Sequence, residues 1–130
     1  MLLLGCGGDG EAAEAEVSER VTTYFTALSA RDFETACSSV TPLFRTNLAA
    51  YAATAFPDLD SRQCAVIAAR IAETNGEEAV ELQRRVRVLD VAVDGENATA
   101  RLGPGQTASL RRVDDSWLID ELDFSGAVGG

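Results

Sequence analysis

The spacing of apolar residues changes partway along this chain, and that change sets its fold class. Up to Asn75-Gly76 the apolar side chains recur at steps of three and four, the period of an amphipathic helix. Beyond that point they alternate at every second residue, the period of a strand with one buried face. Helices followed by strands indicate an α+β fold in which the helices pack on an antiparallel sheet.

Four helices are predicted in the first half. The first extends from Glu11 to Ala30, and a short second helix follows Arg31. Thr41-Pro42 supplies the N-cap and the first-turn proline of a third helix, which ends at Phe56-Pro57. The apolar residues that this third helix is expected to direct inward are Leu43, Phe44, Leu48 and Tyr51.

The fourth helix is expected to begin after a capping residue, either Asp60 or Ser61. Its predicted inner face holds Cys64, Ile67, Ala68 and Ile71. Cys64 and Cys37 therefore both lie on apolar stripes that are expected to be buried. Such placement is what a bridge between two helices requires.

Four antiparallel strands are predicted after Gly76. The first is expected to be long and to include the even-numbered apolar residues Val80, Leu82, Val86 and Val88. The apolar positions then become odd-numbered, and this phase change at Leu89-Asp90 predicts a β-bulge that bends the strand. Three turn signals separate the later strands, at Asp94-Gly95, Gly103-Pro104-Gly105 and Asp114-Asp115.

Composition narrows the classes of function. A chain of 130 residues fits one domain, and its net charge of −10 comes from 21 acidic and 11 basic residues. Nucleic acid is not an expected partner, since its binding requires a basic surface. Histidine is absent, which removes the commonest general base and metal ligand, so we expect neither a cofactor nor a metal. No segment has the roughly 20 apolar residues of a membrane-spanning helix.

The first residues carry a motif of a different kind. Leu3-Leu4-Gly5-Cys6 resembles a bacterial lipobox, and that resemblance implies cleavage before Cys6 and a lipid on its side chain. A secretory signal peptide needs an apolar stretch of roughly 7 to 15 residues, so the true start of the gene is expected upstream. The resemblance implies a protein held on the outer face of the bacterial cytoplasmic membrane, attached to it only through that lipid.

The same motif divides the chain. Residues 1–14 are predicted to be a remnant of the lipobox and a flexible tether, residues 15–124 the folded domain, and residues 125–130 a flexible tail. With Cys6 lipidated, Cys37 and Cys64 remain as an even pair in an oxidising compartment, which predicts a disulfide between them. The alternative is two buried free thiols. A zinc site is disfavoured because paired ligand spacing is lacking.

The order of elements resembles the nuclear transport factor 2-like superfamily, whose curved four-stranded sheet wraps helices into a cone in a cystatin-like arrangement. Two segments carry the resemblance, the run from Tyr24 to Phe33 and the later Trp117-Leu118-Ile119-Asp120. The resemblance implies a pocket between the helices and the concave face of the sheet. The aromatic residues expected to line or floor that pocket are Tyr24, Phe44, Tyr51 and Trp117.

Three functions remain open on this sequence, since one fold hosts many activities. The first is a non-catalytic domain that binds a small apolar ligand or a protein at the membrane surface. The second is an isomerase or cyclase that uses Tyr24 with a carboxylate in the pocket, Asp90 or Asp120. The third is a structural domain that associates with itself as a homodimer, with a filled cone.

Overall fold

The computed structural model describes residues 2–103 and 105–123, with side chains from Gly10 onward. Its elements follow the chain in the order α1 (Leu2–Ser29), α2 (Phe33–Cys37), α3 (Pro42–Ala55), α4 (Cys64–Arg85), β1 (Arg87–Asp94), β2 (Asn97–Gly103), β3 (Gln106–Val113) and β4 (Ser116–Asp123). The α+β class with a four-stranded antiparallel sheet is confirmed. The predicted tail at 125–130 lies outside the described residues.

Helix α1 lies across one face of the sheet and forms the main core with it. Its residues Val17 and Val21 are fully buried, as are the small residues Ala100 and Ala108 on the two central strands. Small side chains on the sheet let the helix approach closely. The helix includes residues 2–14 of the tether predicted at 1–14, and the described packing against the core begins at Ala13.

Helix α3 begins as predicted. The Thr41 side chain accepts a hydrogen bond from the Phe44 amide at 3.2 Å, and Pro42 occupies the first turn. The prediction that Leu43 and Tyr51 point inward is wrong, since they are 48% and 54% exposed. The reason is that α3 packs on α4 along one narrow stripe, which leaves its other faces in solvent.

Helix α4 corrects the predicted start of the strands. It continues to Arg85, so Val80 and Leu82 are helical and not part of a strand. Glu, Ala, Leu, Gln and Arg dominate the sequence from 77 to 85, and these residues favour a helix more strongly than two evenly spaced apolar residues favour a strand. Gly76 interrupts the helix with φ +76° and ψ −161°, so the two halves of α4 meet at a kink.

The predicted cap of α4 is also corrected. Gln63 occupies the N-cap position and makes no side-chain capping bond. The Ser61 hydroxyl instead accepts a hydrogen bond from the Gln63 amide at 3.1 Å, so it caps a turn before the helix. Asp60 does not cap the helix either.

The sheet is a simple meander in the order β1-β2-β3-β4. The predicted bulge is confirmed by a shift of register between Val88 and Asp90. Gly95 has φ +65° in the first hairpin, and Asp114 and Asp115 both have positive φ in the last, as a two-residue type I′ turn requires. Pro104 of the middle turn lies outside the described residues.

A short segment between α2 and α3 covers the edge of β4. The Ile119 amide donates to the Ser39 carbonyl at 2.8 Å, and the Thr41 amide donates to the Ile119 carbonyl at 2.9 Å. Arg20 of α1 reaches the same place, where its Nε donates to the Trp117 carbonyl at 2.7 Å. These bonds fix the start of α3 beside β4 and cover part of that edge of the sheet.

The predicted disulfide between Cys37 and Cys64 is confirmed, with their Cα atoms 6.0 Å apart. It joins α2 to the first turn of α4 and closes a loop that contains α3. In the chain-entropy account a loop of this size stabilises the fold by about 3 to 4 kcal/mol.

Candidate ligand cavity

A cavity of about 790 Å³ lies between the four helices and one end of the sheet. Helix α1 fills the region above the central strands, so the open space is displaced toward α4 and the ends of β3 and β4. Its lining is mainly apolar and comes from every helix and from β4; representative residues are Leu28, Phe33, Phe44, Ile71, Val80 and Leu122.

The exposure of the lining residues distinguishes the floor of the cavity from its mouth. Tyr24, Phe25 and Val40 are buried and form its floor. Leu82 and Glu121 also line it but are exposed, so they lie at its mouth. The second half of α4, beyond the kink at Gly76, therefore forms one side of the entrance.

Two neutral polar side chains in the lining bear on how a ligand would be held, Tyr24 and Gln106. Burial raises the pKa of the Tyr24 hydroxyl far above its ordinary value, so the hydroxyl stays protonated. The Gln106 side chain lines the cavity from the first residue of β3, and its Oε1 is buried and unpaired. Unpaired polar atoms in a mostly apolar cavity are the groups that orient a ligand.

Two carboxylates also line the cavity, and they differ in their surroundings. Asp120 is mostly buried, with 18% of its side chain exposed. Its Oδ1 accepts a hydrogen bond from the Thr41 hydroxyl at 2.6 Å, and its Oδ2 lies 3.3 Å from Nη2 of Arg111. Glu121 is the exposed carboxylate at the mouth.

The structure brings together two of the four aromatic residues predicted to line a pocket. Tyr24 and Phe44 both line the cavity, with their rings edge to face and their centroids 6.1 Å apart. Tyr51 points away from the cavity, because it lies on the solvent side of α3. Its ring packs on that of Phe56, with the ring centroids 6.2 Å apart. Trp117 is 3% exposed inside the main core and is not part of the lining.

The enzyme hypothesis requires one carboxylate in the pocket, and the fold places its two candidates in different surroundings. Asp90 lies on the exposed side of β1, where its carboxylate is 4.0 Å from Arg101, and it does not line the cavity. Asp120 does line it. The predicted lipidation site, Cys6, lies outside the described side chains.

Sequence reasoning missed Gln106 as a site residue. It follows the Gly103-Pro104-Gly105 turn and begins a strand, and a single glutamine in that position carries no signal of function. Both cysteines of the disulfide also line the cavity, a role that their spacing alone does not indicate.

Comparison with known proteins finds no matching family model, no matching curated protein and no matching solved structure. None of the described helices combines the length and apolar character needed to cross a membrane.

Proposed function

We propose that this domain binds a small, mainly apolar ligand in the cavity between its helices and its sheet, and that it does so without catalysis. The observation that carries the proposal is the cavity itself. At about 790 Å³ it falls within the range of about 300 to 1,000 Å³ that is usual for small-molecule sites. Its apolar lining with a few polar groups is also typical of such sites. The resemblance to the nuclear transport factor 2-like superfamily is in keeping with this role.

Binding is favoured over catalysis by the state of Asp120. A general base must accept a proton from a bound substrate. Both Asp120 oxygens already have donors, from Thr41 and Arg111, within the protein. No other partly buried carboxylate lines the cavity in the described part of the chain.

The experiment that tests ligand binding is a fluorescence titration with Nile red, a neutral apolar dye. We expect saturable binding to the oxidised domain and a loss of about tenfold or more in affinity when Ala72 in the cavity wall becomes leucine. Ala50→Leu is the matched control, because Ala50 is exposed on α3 and both residues are helical. Equal binding by both variants would place the dye elsewhere and contradict the proposal.

We also propose that the domain works outside the cytoplasm, held to the membrane by a lipid on Cys6. The lipobox-like Leu3-Leu4-Gly5-Cys6 and the disulfide support this location, since disulfides persist in oxidising compartments. Expression of the chain behind an added bacterial secretory signal segment that joins Leu3-Leu4-Gly5-Cys6, followed by detergent-phase partitioning, tests it. The wild type should enter the detergent phase and Cys6→Ser should not. A water-soluble wild type would contradict the anchor.

A further inference from the structure

The charges around the cavity restrict what it can bind. Among the described residues that line it, Asp120 and Glu121 are the only charged ones, and both are acidic. The chain contains no lysine, and its arginines lie outside the lining as described. An anionic head group that entered the cavity would lose its hydration without gaining a cationic partner, which is strongly unfavourable.

A cationic head group is also poorly matched. Asp120 is the mostly buried carboxylate, and its charge is already balanced by Arg111 and by the Thr41 hydroxyl. Glu121 is exposed at the mouth, where an ion pair in water contributes little. A ligand head group with a full charge of either sign therefore has no unpaired counter-ion among the described residues deep in the cavity.

The buried polar atom that lacks a partner among the described residues belongs instead to a neutral side chain, that of Gln106. Gln106 Oε1 is a buried acceptor to which no described residue donates a hydrogen bond. An acceptor left unpaired in an apolar setting is unfavourable, and a ligand that donates to it removes that penalty. The Tyr24 hydroxyl, which burial keeps protonated, is a second neutral polar group in the lining.

We propose that the cavity selects a neutral molecule with an apolar body and one hydrogen-bond-donating end, a hydroxyl or a primary amide. This end donates to the carboxamide oxygen of Gln106, which turns toward the cavity about the soft terminal torsion of its side chain. Alcohols and amides of alkyl chains have this chemistry, and fatty acids and alkyl amines at neutral pH do not. The inference rests on the proposed ligand-binding function and adds its specificity.

The test is a displacement series on the wild-type domain with bound Nile red. The competitors share one ten-carbon chain and differ only in the end group: decanol, decanamide, decyl methyl ether, decanoate and decylamine. We expect decanol and decanamide to displace the dye at concentrations about tenfold lower than decanoate or decylamine. Displacement at equal concentrations by all five, or best displacement by decanoate or decylamine, would overturn the inference.

A variant then tests the role of the glutamine. Gln106→Met keeps an unbranched side chain of similar length and removes the acceptor. It should abolish the preference for decanol over decyl methyl ether, which we expect to be about three- to tenfold in the wild type. Gln83→Met is the matched control, because Gln83 also lines the cavity but has no buried unpaired atom. The preference should survive in that control.

These outcomes separate the two proposals. Absence of saturable Nile red binding would overturn the ligand-binding function and this inference together. Saturable binding with no discrimination among end groups would overturn this inference alone. The wild-type series decides the question even if Gln106→Met does not fold, because it needs no variant.

Discussion

The disulfide between Cys37 and Cys64 lies in the wall of the cavity, where it fastens α2 to the start of α4. Loss of the bridge therefore acts on the stability of the fold and on the shape of the site at once. The double variant Cys37→Ala/Cys64→Ala should lose about 3 to 4 kcal/mol of unfolding free energy. Urea unfolding followed by circular dichroism measures this loss.

The control for that experiment is reduction of the wild-type protein. A reducing agent should lower the stability of the wild type toward that of the double variant and leave the double variant unchanged. A wild type whose unfolding is insensitive to reduction would show that the bridge does not stabilise the domain.

Arg20 should be a structural residue in spite of its charge. Its Nε donates to the Trp117 carbonyl at 2.7 Å and so ties α1 to β4. Arg20→Met should lower the unfolding free energy by about 1.5 to 3 kcal/mol, because a hydrogen bond from a charged donor is lost. Arg112→Met is the matched control, since Arg112 pairs with Asp115 on the surface, and it should change stability by no more than about 0.5 kcal/mol. Equal effects of the two variants would contradict the assignment.

Gly76 should tolerate no side chain, although there is room for one. A Cβ at this position meets nothing within 4 Å, but its φ of +76° is strained for other residues. Gly76→Ala should therefore destabilise the domain by about 1 to 3 kcal/mol through the backbone alone. Gly10→Ala, in helix α1 with equally open space, should be neutral or stabilising. A neutral Gly76→Ala, measured by thermal unfolding, would mean that the kink in α4 is not fixed.

Tyr24 should make the stability depend on alkaline pH. Its folded pKa lies above the unfolded value of about 10, so the folded protein retains a proton that the unfolded chain releases. The contribution of Tyr24 to the free energy of unfolding is therefore fully present below about pH 10 and declines as the pH rises further. The chain has two tyrosines, so Tyr51→Phe leaves Tyr24 as the sole reporter.

Absorbance of tyrosinate in Tyr51→Phe measures this ionisation. The signal should appear only together with unfolding seen by circular dichroism. Ionisation of Tyr24 in a still folded domain would contradict the buried, protonated hydroxyl on which the specificity of the cavity partly depends.

The sequence predicted the parts of the fold that local chemistry controls. The bulge near Leu89 and the N-cap at Thr41 follow from residues within a few positions of each feature. Both features are decided by neighbours along the chain, so periodicity and turn chemistry can find them. The disulfide was predicted on other grounds, because lipidation of Cys6 leaves Cys37 and Cys64 as an even pair and both lie on apolar stripes.

Val80 was missed for a local reason, because the helix-favouring residues around it outweigh the even spacing that predicts a strand. The other parts that the sequence missed depend on contacts far apart in the chain. Tyr51 has the spacing of the inner face of a helix, but it is not buried. The reason is that α3 buries only the narrow stripe of residues that contacts α4. Gln106 lines the cavity because the meander brings the start of β3 beside the helices, which no local pattern indicates.

The most direct test of the ligand cavity is an NMR titration of the oxidised domain with decanol, observed at methyl groups. Shifts should saturate and should be largest at Ile71, Val80 and Leu122, which line the cavity. The methyls of Leu89, which is 54% exposed on β1 and outside the lining, should stay unchanged. Shifts that fail to saturate, or that centre on Leu89, would contradict binding in the cavity.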